Sequence, residues 1–403
     1  MNSNRKIHLL IIPGEELNNL QYHNSIFEIH QALALKSLNV VTGFISTSLN
    51  GSIFKEVKRN IFNLKWQSIT KLSTKSLNIY GLNIVESTGI YRSPSFVNLY
   101  NYEKVRAGIK SFRKYVESYG MPDIIHAHSR FLDSVILAKK INDLFGIPYV
   151  ITEHSTKHQR KIVQRKEYVQ YRYAVNASKK WIVVSESLGE IIESNLSNMN
   201  LTLNKSFIVV PNVVDPNFKF IQHVQEKEFI FLNIASLDPK KNHELLLRSF
   251  DLLNNHFKNI SLRIGGEGVL ENDLKSLVRK LSLTNVIFLG KLSREEVQKE
   301  ISKSNVFVLS SNEETFGVVL IESLAIGRPV IATKCGGPEY IINSKNGLLI
   351  DKNNEIQLFN AMKEVLENYN SYNLNQISVE CDEKYGPNTI GKKLIEIYRE
   401  ALN

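Results

Sequence analysis

Cysteine is scarce in this 403-residue sequence, which contains only Cys335 and Cys381. Two cysteines form one bridge at most, so a disulfide framework is excluded and a reducing cytoplasm is the simpler location. Long apolar runs are also absent, since no stretch reaches the roughly 18 residues that a membrane span needs. The first apolar run, 7–12, stops at Pro13-Gly14 and therefore predicts a β-strand, not a secretion signal.

Acidic residues are few in the first half of the chain. Residues 1–200 hold 26 Lys and Arg against 15 Asp and Glu, whereas the remainder holds 24 against 25. A basic half favours an anionic partner, and we expect a lipid surface rather than nucleic acid. Two basic stretches, 104–116 and 157–180, support this expectation. The first has apolar residues at helical spacing, a pattern that is also typical of an ordinary surface helix packed on a core.

The order of short β-rich runs and helix-length intervals predicts an α/β protein with two doubly wound, mostly parallel sheets. With 43% apolar residues, the chain can bury two cores. The alternation restarts after 211–216, so we predict an N-terminal domain over 1–213 and a C-terminal domain over 214–387, with helix 388–403 returning to the first domain. Helices are predicted at 25–36 and 133–145. The predicted strands are 6–12, 40–45, 123–127, 149–152, 181–184, 207–210, 229–235, 261–264, 286–289, 306–309, 330–332 and 348–350.

The segment from Ser310 to Glu322 carries the clearest chemical signal. A polar turn follows a buried-looking strand and leads into a helix that we expect to begin near Phe316. The first N–H groups of such a helix suit an anion, for example a phosphate. Glu314 precedes the helix and Glu322 lies within it. Carboxylates accept hydrogen bonds from sugar or ribose hydroxyls, although two acids on a helix are by themselves more often a solvated face.

With this segment the sequence resembles the retaining glycosyltransferases of the GT-B fold, the large fourth family that carries an E-x7-E motif. The resemblance implies two Rossmann-like domains facing one another across a cleft, with the acceptor bound by the first domain and a nucleotide sugar by the second. It spans nearly the whole chain, and it is strong in the second half and weak at the start. The segments that carry it are 123–128, 151–156, 210–212, 237–243, 265–268, 286–290, 314–322, 327–332 and 336–339.

The resemblance also implies roles for individual residues. Glu322 would bind the donor ribose, Glu314 would hold hydroxyls of the transferred sugar, and Lys241 would face the donor diphosphate. A cation at that place is physically reasonable because the leaving diphosphate gains charge in the transition state. The further residues implied for donor binding are Phe316, Gly317 and Val318 through their N–H groups, Gly290 and Lys291 at the base, and Ser236 and Gly14.

Three histidines follow or end predicted strands of the first half. His154 is similar to a family histidine that reaches toward the donor sugar, and we assign it to catalysis with Glu314 and Lys241. His126 and His128 share one face of a strand end. Together with His154 they leave a zinc site open as an alternative, although the sequence offers no clear fourth ligand. We assign His128 and Arg160 to acceptor binding.

The sequence departs from the family pattern at two places. Ser236 stands where the family usually has an arginine, so one diphosphate cation is missing, and Lys240 or another basic residue is a candidate substitute. At the first strand, Gly14 stands in for a glycine pair and still permits a close approach to phosphates. No Asp-x-Asp pair occurs. We therefore expect no metal and no cofactor apart from the nucleotide-sugar donor.

Together these observations predict a retaining, metal-independent hexosyltransferase acting on a glycan or lipid-linked acceptor. We expect it in bacterial surface polysaccharide synthesis, in the cytoplasm or peripherally at the inner face of the cell membrane. One alternative is a catalytically silent partner in a polysaccharide assembly complex, motivated by Ser236. Another is a GT-B epimerase or hydrolase of nucleotide sugars. A nicotinamide-binding interpretation of 265–268 fails because residue 271, where the third glycine of that motif belongs, is Glu.

Overall fold

A computed structural model describes residues 6–15, 26–51, 69–91, 97–130, 132–224 and 227–403. The chain divides into two compact units. The first comprises Met1–Val183, Ile191–Val210 and Ile390–Asn403, and the second comprises Val184–Glu190 and Pro211–Thr389. Each unit is built on one largely parallel sheet with helices, so the predicted α/β class with two Rossmann-like domains is confirmed.

Eight strands form the sheet of the first unit in the described part of the chain. Its order is β3-β4-β2-β1-β5-β6-β7-β8, and all neighbours run parallel except β3 and β4. The central strands β1 and β5 are almost wholly buried, as expected for parallel strands covered on both faces. The strands are β1 His8–Ile12, β2 Val41–Gly51, β3 Ile69–Ile79, β4 Leu82–Tyr91, β5 Ile124–Ser129, β6 Tyr149–Glu153, β7 Lys180–Val183 and β8 Ile208–Val209.

The hairpin of β3 and β4 is missing from the sequence-based prediction. Tyr80 and Gly81 form its turn with φ of 54° and 69°, and Ile79 pairs with Leu82 across it. Two residues with positive φ between antiparallel strands are typical of a type I′ turn. The glycine after Tyr80, flanked by apolar alternation, was the available signal.

Within the described residues, the helices before the second sheet are α1 Ile26–Ser37, α2 Val97–Tyr119, α3 Leu132–Phe145, α4 Arg165–Ala177 and α5 Glu186–Ser197. The predicted helix 25–36 corresponds to α1, with Ser25 outside the described residues. In α2, Ala107, Phe112 and Tyr115 are buried, and the helix packs on β2, β4 and α3. The apolar side of the first basic stretch therefore lies in the core, as in an ordinary surface helix.

The sheet of the second unit has six parallel strands in the order β11-β10-β9-β12-β13-β14. Chain order reverses between β9 and β12. In open parallel sheets ligands bind at the carboxyl ends of the strands at such a reversal. The strands are β9 Phe229–Ile234, β10 Ile260–Gly265, β11 Val286–Gly290, β12 Val306–Leu309, β13 Val330–Thr333 and β14 Gly347–Ile350.

Helices follow these strands and cover a core formed by Phe231, Phe250, Leu262, Val308 and their buried neighbours. A 3-10 turn, Pro239–Lys241, follows β9, and another, Tyr369–Ser371, follows α11. The helices are α6 His243–His256, α7 Glu271–Lys280, α8 Arg294–Lys303, α9 Val318–Ile326, α10 Pro338–Ile341, α11 Glu355–Glu367, α12 Leu374–Tyr385 and α13 Pro387–Leu402.

Most of the final helix α13 belongs to the first unit, which it joins at Ile390. The Tyr398 hydroxyl lies 2.7 Å from His126 Nδ1, and Lys180 Nζ lies 2.7 Å from Glu400 Oε2. Among the helices of the described residues, none is both long and apolar enough to cross a bilayer.

Candidate functional site

Lys241 and Glu314 meet at the reversal point of the second sheet. Lys241 ends the 3-10 turn after β9, and Glu314 follows β12, the strand next to β9. Lys241 Nζ lies 2.5 Å from Glu314 Oε2, and the two side chains are only 15% and 16% exposed. The sheet topology thus brings together two residues that are 73 positions apart in the sequence.

The turn that carries Lys241 is fastened to the loop after β12. Asn242 adopts left-handed backbone angles and caps α6 by accepting from the Leu245 N–H. Ser310 Oγ donates to the Lys241 carbonyl at 3.0 Å, and the Asn312 N–H donates to the Lys240 carbonyl at 2.7 Å. Lys241 is consequently held at its backbone, and only its side chain is left to adjust.

The loop around Glu314 is closed by the glycine pair that follows β13. The Glu314 N–H donates to the Cys335 carbonyl at 3.2 Å, and the Gly337 N–H donates to the Glu314 carbonyl at 2.7 Å. A Cβ on Gly337 would lie 2.3 Å from the backbone of Phe316. Glycine is required at this place because the two loops approach so closely.

Helix α9 begins at Val318 rather than near Phe316 as predicted, because Gly317 adopts φ of 99° and caps it. The N–H groups of Val318 and Val319 occupy the first two helical positions, where no intrahelical partner exists. Phe316 is buried and its ring lies 5.8 Å from that of Tyr385. Phe316, Gly317 and Val318 therefore form the turn and helix start beside Glu314, as the motif predicts.

Glu322, one turn into α9, is paired with an arginine that the sequence interpretation missed. Arg294 Nη2 donates to Glu322 Oε1 at 2.7 Å and to Asp215 Oδ2 at 3.1 Å. Burial raises the pKa of the Glu322 carboxyl, and the charge of Arg294 opposes that shift. Burial also works to lower the pKa of Arg294, but the carboxylates of Glu322 and Asp215 outweigh it and raise the pKa.

The other predicted donor-binding residues of this unit lie at the ends of β9 and β11. Ser236 is exposed and donates to Asp238 Oδ2 at 2.7 Å. Gly290 ends β11 with φ of 69°, and its carbonyl accepts from the Gly266 N–H at 2.7 Å. Lys291 is exposed, with Nζ 3.6 Å from Glu267 Oε1. Their contacts to a donor stay predictions.

In the first unit, the three predicted histidines form one buried chain. His126 lies 2.6 Å from Thr152 Oγ1 through Nε2, and its Nδ1 is the nitrogen beside Tyr398. His128 Nδ1 lies 2.9 Å from His154 Nε2. Burial lowers the pKa of His126 to about 3 and also lowers the pKa of His128 and of His154 well below the usual value. All three rings are therefore neutral near pH 7.

The backbone of His154 is held by the preceding glutamate. Glu153 Oε1 accepts from the N–H groups of His154 and Ser155 at 3.0 and 2.8 Å. The His154 ring lies 4.6 Å from the ring of Phe27. Among the described residues, no group of histidine, cysteine or acidic side chains is arranged to hold a metal ion.

Gly14 and the two predicted acceptor residues lie in different surroundings. The Gly14 N–H donates to Glu28 Oε1 at 3.0 Å, and a Cβ there would lie 3.0 Å from the His128 carbonyl. His128 is fully buried, whereas Arg160 is exposed in the turn after β6. Their roles toward donor or acceptor stay predictions.

A pocket with about 420 Å³ of open space lies at the carboxyl end of β1 in the first unit. Its polar lining includes Ser46, Thr47 and Ser134, and Lys104 and Asp133 form a 2.8 Å ion pair at its edge. Hydroxyl groups beside an apolar floor suit a small polyhydroxylated ligand.

Comparison with known proteins assigns the chain to a family. The family model described as glycosyl transferases group 1 matches residues 214–377, and the model described as glycosyltransferase family 4 matches residues 81–218. An uncharacterized glycosyltransferase of Methanocaldococcus jannaschii, MJ1178, is 31% identical over 255 residues, which are 63% of this chain and 68% of that protein. The chain is a glycosyltransferase.

Two further likenesses extend over more of this glycosyltransferase. The alpha-monoglucosyldiacylglycerol synthase of Streptococcus pneumoniae is 26% identical over 359 residues, which are 80% of this chain and 76% of that protein. The crystal structure of Anabaena Alr3699/HepE in complex with UDP and glucose has a TM-score of 0.67 at 14% identity, covering 98% of this chain and 99% of that one. This second likeness shows the fold, which is GT-B.

Proposed function

We propose that this glycosyltransferase moves a sugar from a nucleotide-diphosphate donor with retention of anomeric configuration, using neither metal nor other cofactor. The pairing of Lys241 with Glu314 at the reversal point of the second sheet carries the proposal. It supplies one cation and one carboxylate beside the start of α9. Anabaena Alr3699/HepE, which shares the fold, was crystallised with UDP and glucose.

We assign different parts of the donor to Lys241 and Glu314. In the proposed donor complex, Lys241 leaves Glu314 and turns to the diphosphate, whose negative charge grows as the glycosidic bond breaks. Glu314 then accepts hydrogen bonds from hydroxyls of the transferred sugar. The N–H groups of Val318 and Val319 complete the phosphate site, since the start of a helix favours an anion.

Glu322 suits the ribose, whose adjacent hydroxyl groups both donate hydrogen bonds. Its Oε2 accepts no hydrogen bond from the described residues, while Oε1 is held by Arg294. One oxygen is thus fixed and the other remains for a ligand.

The proposed acceptor is a glycan or a lipid-linked glycan. The pocket at the end of β1 is our candidate for its reacting sugar, because Ser46, Thr47 and Ser134 line it together with the ion pair of Lys104 and Asp133. The pneumococcal relative is named for a glycosylated diacylglycerol, which is a lipid. Synthesis of bacterial surface polysaccharide fits both kinds of acceptor.

We place the enzyme at the inner face of the cell membrane through α4 and the turn before it. Ile162, in the turn before α4, and Val169 and Tyr173, one turn apart on α4, are 51%, 41% and 64% exposed. Arg165 and Lys166 on the same stretch are exposed as well. Apolar side chains flanked by basic ones suit the interface of an anionic bilayer.

The proposal is tested by thermal melting with a panel of UDP-, ADP-, GDP- and dTDP-sugars, followed by turnover assays. A ligand that binds the folded chain alone raises the melting temperature. Glu314→Gln should depress turnover by about two orders of magnitude or more without unfolding the chain, whereas Glu295→Gln, an exposed glutamate on α8, should not. Near-normal turnover of Glu314→Gln would remove that residue from the mechanism, and NMR of the product anomer decides retention.

Ser236 favours a second candidate function, that of a catalytically silent partner in a polysaccharide assembly complex. The arginine that the resemblance implies at this position would bring a second cation, and Ser236 brings a hydroxyl bonded to Asp238. Donor consumption with and without candidate acceptors separates the two functions. A transferase consumes its donor much faster when the acceptor is present, while a silent partner consumes no donor with or without an acceptor.

A further inference from the structure

We propose that Arg294 is a positioning residue of the donor site, which holds Glu322 as a carboxylate in one orientation and ties it to Asp215. The inference rests on the proposed function, because it assumes that Glu322 binds the donor ribose. It concerns a residue outside the sequence motif, on a different helix.

The geometry joins three separate segments of the second unit. Arg294 is the first residue of α8, Glu322 lies in α9, and Asp215 lies in the connection between β8 and β9. One nitrogen, Nη2, bonds to both carboxylates at 2.7 and 3.1 Å. The guanidinium also stacks 4.6 Å from the ring centre of Phe218. Arg294 is therefore oriented by contacts on two sides.

The backbone of Arg294 is fixed as firmly as its side chain. Ser293 caps α8, accepting from the Glu296 N–H through Oγ and donating its own N–H to Glu296 Oε2 at 2.7 Å. This reciprocal pair is a capping box, which sets the direction in which a helix starts. The Arg294 side chain therefore extends toward Glu322 from a fixed backbone position.

The charges explain why Glu322 needs this partner. Glu322 is 2% exposed, and an isolated carboxylate in such surroundings would take up a proton rather than stay ionised. The charged groups that act on it are Arg294 from α8 and Asp215 from the connection before β9, the latter with the same sign. From α12, the Cys381 thiol bonds to the Ile321 carbonyl beside it. Among these groups, Arg294 is the one that favours the carboxylate.

Orientation matters as much as charge. Because Oε1 is held by Arg294, Oε2 is the oxygen left for a ligand among the described residues. A protonated or rotated Glu322 would offer one acceptor fewer to the ribose hydroxyls. Removal of Arg294 should therefore weaken nucleotide binding through its effect on Glu322.

The test is a double-mutant cycle on nucleotide affinity, measured by isothermal titration with UDP, ADP and GDP between about pH 6 and 8.5. Arg294→Met should weaken binding about tenfold or more, which is roughly 1.4 kcal/mol. Arg294→Lys should retain part of the affinity that Arg294→Met loses. With Glu322→Gln already present, Arg294→Met should add little, because the interacting pair is gone. Arg248→Met, which breaks an exposed pair with Glu244, is the matched control.

The pH dependence separates positioning from simple destabilisation. Without Arg294 the pKa of Glu322 rises further, so the carboxyl is protonated at a higher pH and binding should fall off earlier as the pH is lowered. Glu322→Gln should abolish this decrease of binding at low pH. A residue that only supports the fold would lower the melting temperature and leave the pH at which binding declines unchanged. Arg294→Lys, which keeps the charge, serves if Arg294→Met does not fold.

Two results overturn different claims. If the wild-type chain binds UDP, ADP or GDP and both Arg294 variants bind as tightly, the inference is wrong and the proposed function stands. If the wild-type chain binds neither these three nucleotides nor dTDP, the proposed function fails and the inference falls with it.

Discussion

At the scale of single residues, the central feature is the 2.5 Å pair of Lys241 and Glu314. Each side chain neutralises the other, so neither charge is left isolated in partly buried surroundings. A donor diphosphate would compete for Lys241 with Glu314, and the lysine would pass from one anion to another.

The first prediction concerns this lysine. Lys241→Met should lower kcat with a nucleotide sugar by about two to three orders of magnitude, because the leaving diphosphate loses its cation in the transition state. Lys241→Arg should keep part of the activity. The control is Lys258→Met, since Lys258 is exposed in the turn before β10, at the amino ends of the strands. Steady-state kinetics measure the effect, and equal losses in both methionine variants would refute the assignment.

At the scale of elements, the site depends on loops that leave neighbouring strand ends and bond to one another. The loop after β9 is fastened to the loop after β12 through Ser310 and Asn312, and that loop is fastened to the turn after β13 through Gly337. Parallel strands end at the same edge of the sheet, so these connections are short. The loops are held together by hydrogen bonds to their backbone carbonyl groups.

Gly337 allows this dependence to be tested. Its φ of −66° suits any residue, but a Cβ would lie 2.3 Å from the Phe316 backbone, so Gly337→Ala should displace the Glu314 loop. We expect a loss of about 1–3 kcal/mol in the free energy of unfolding, together with weakened nucleotide binding. Denaturant unfolding and titration measure the two effects.

The matched control is Gly146→Ala, where nothing lies within 4 Å and φ is 73°. That change should cost about 1–2 kcal/mol through the backbone alone. Nucleotide binding should stay as in the wild type, because Gly146 lies between α3 and β6 of the first unit. If Gly337→Ala also left binding intact, close packing of the two loops would not matter for the site.

At the scale of the whole molecule, charge is divided between the two halves of the sequence. The first 200 residues hold 26 basic against 15 acidic residues, and the remainder is nearly balanced. The structure separates the two basic stretches further. The apolar side of α2 is buried, whereas α4 and the turn before it expose Ile162, Val169 and Tyr173. Of the two, α4 is the better candidate for a lipid surface.

The prediction at this scale is made for vesicle sedimentation. The chain should sediment with vesicles containing phosphatidylglycerol but not with neutral vesicles at low salt, and less so at about 0.5 M salt, since screening weakens the attraction. Replacing Arg165 and Lys166 by glutamine should reduce binding several-fold. The control replaces Arg279 and Lys280, exposed on α7 of the second unit. Equal recovery with both kinds of vesicle would argue against electrostatic docking.

Much of the architecture could be predicted because it is encoded locally. Apolar runs such as 306–309 became strands of the predicted length, and the alternation with helices indicated two parallel sheets. The hairpin of β3 and β4 was missed because clear apolar alternation is confined to the few residues that flank its turn, and most of β3 is polar. The start of α9 was placed two residues early because a left-handed glycine cap is decided by backbone angles.

The sequence by itself determined the residue types and spacings that point to a glycosyltransferase, above all Lys241, Glu314 and Glu322, and the order of strands and helices that carries them. These are local properties, since periodicity and motif spacing act within a few turns of chain. The tertiary structure alone decided which groups meet: Lys241 with Glu314, Arg294 with Glu322 and Asp215, and His128 with His154. Such pairs form between residues far apart in the chain, because the sheet brings their strand ends to one edge and burial makes an unpartnered charge costly.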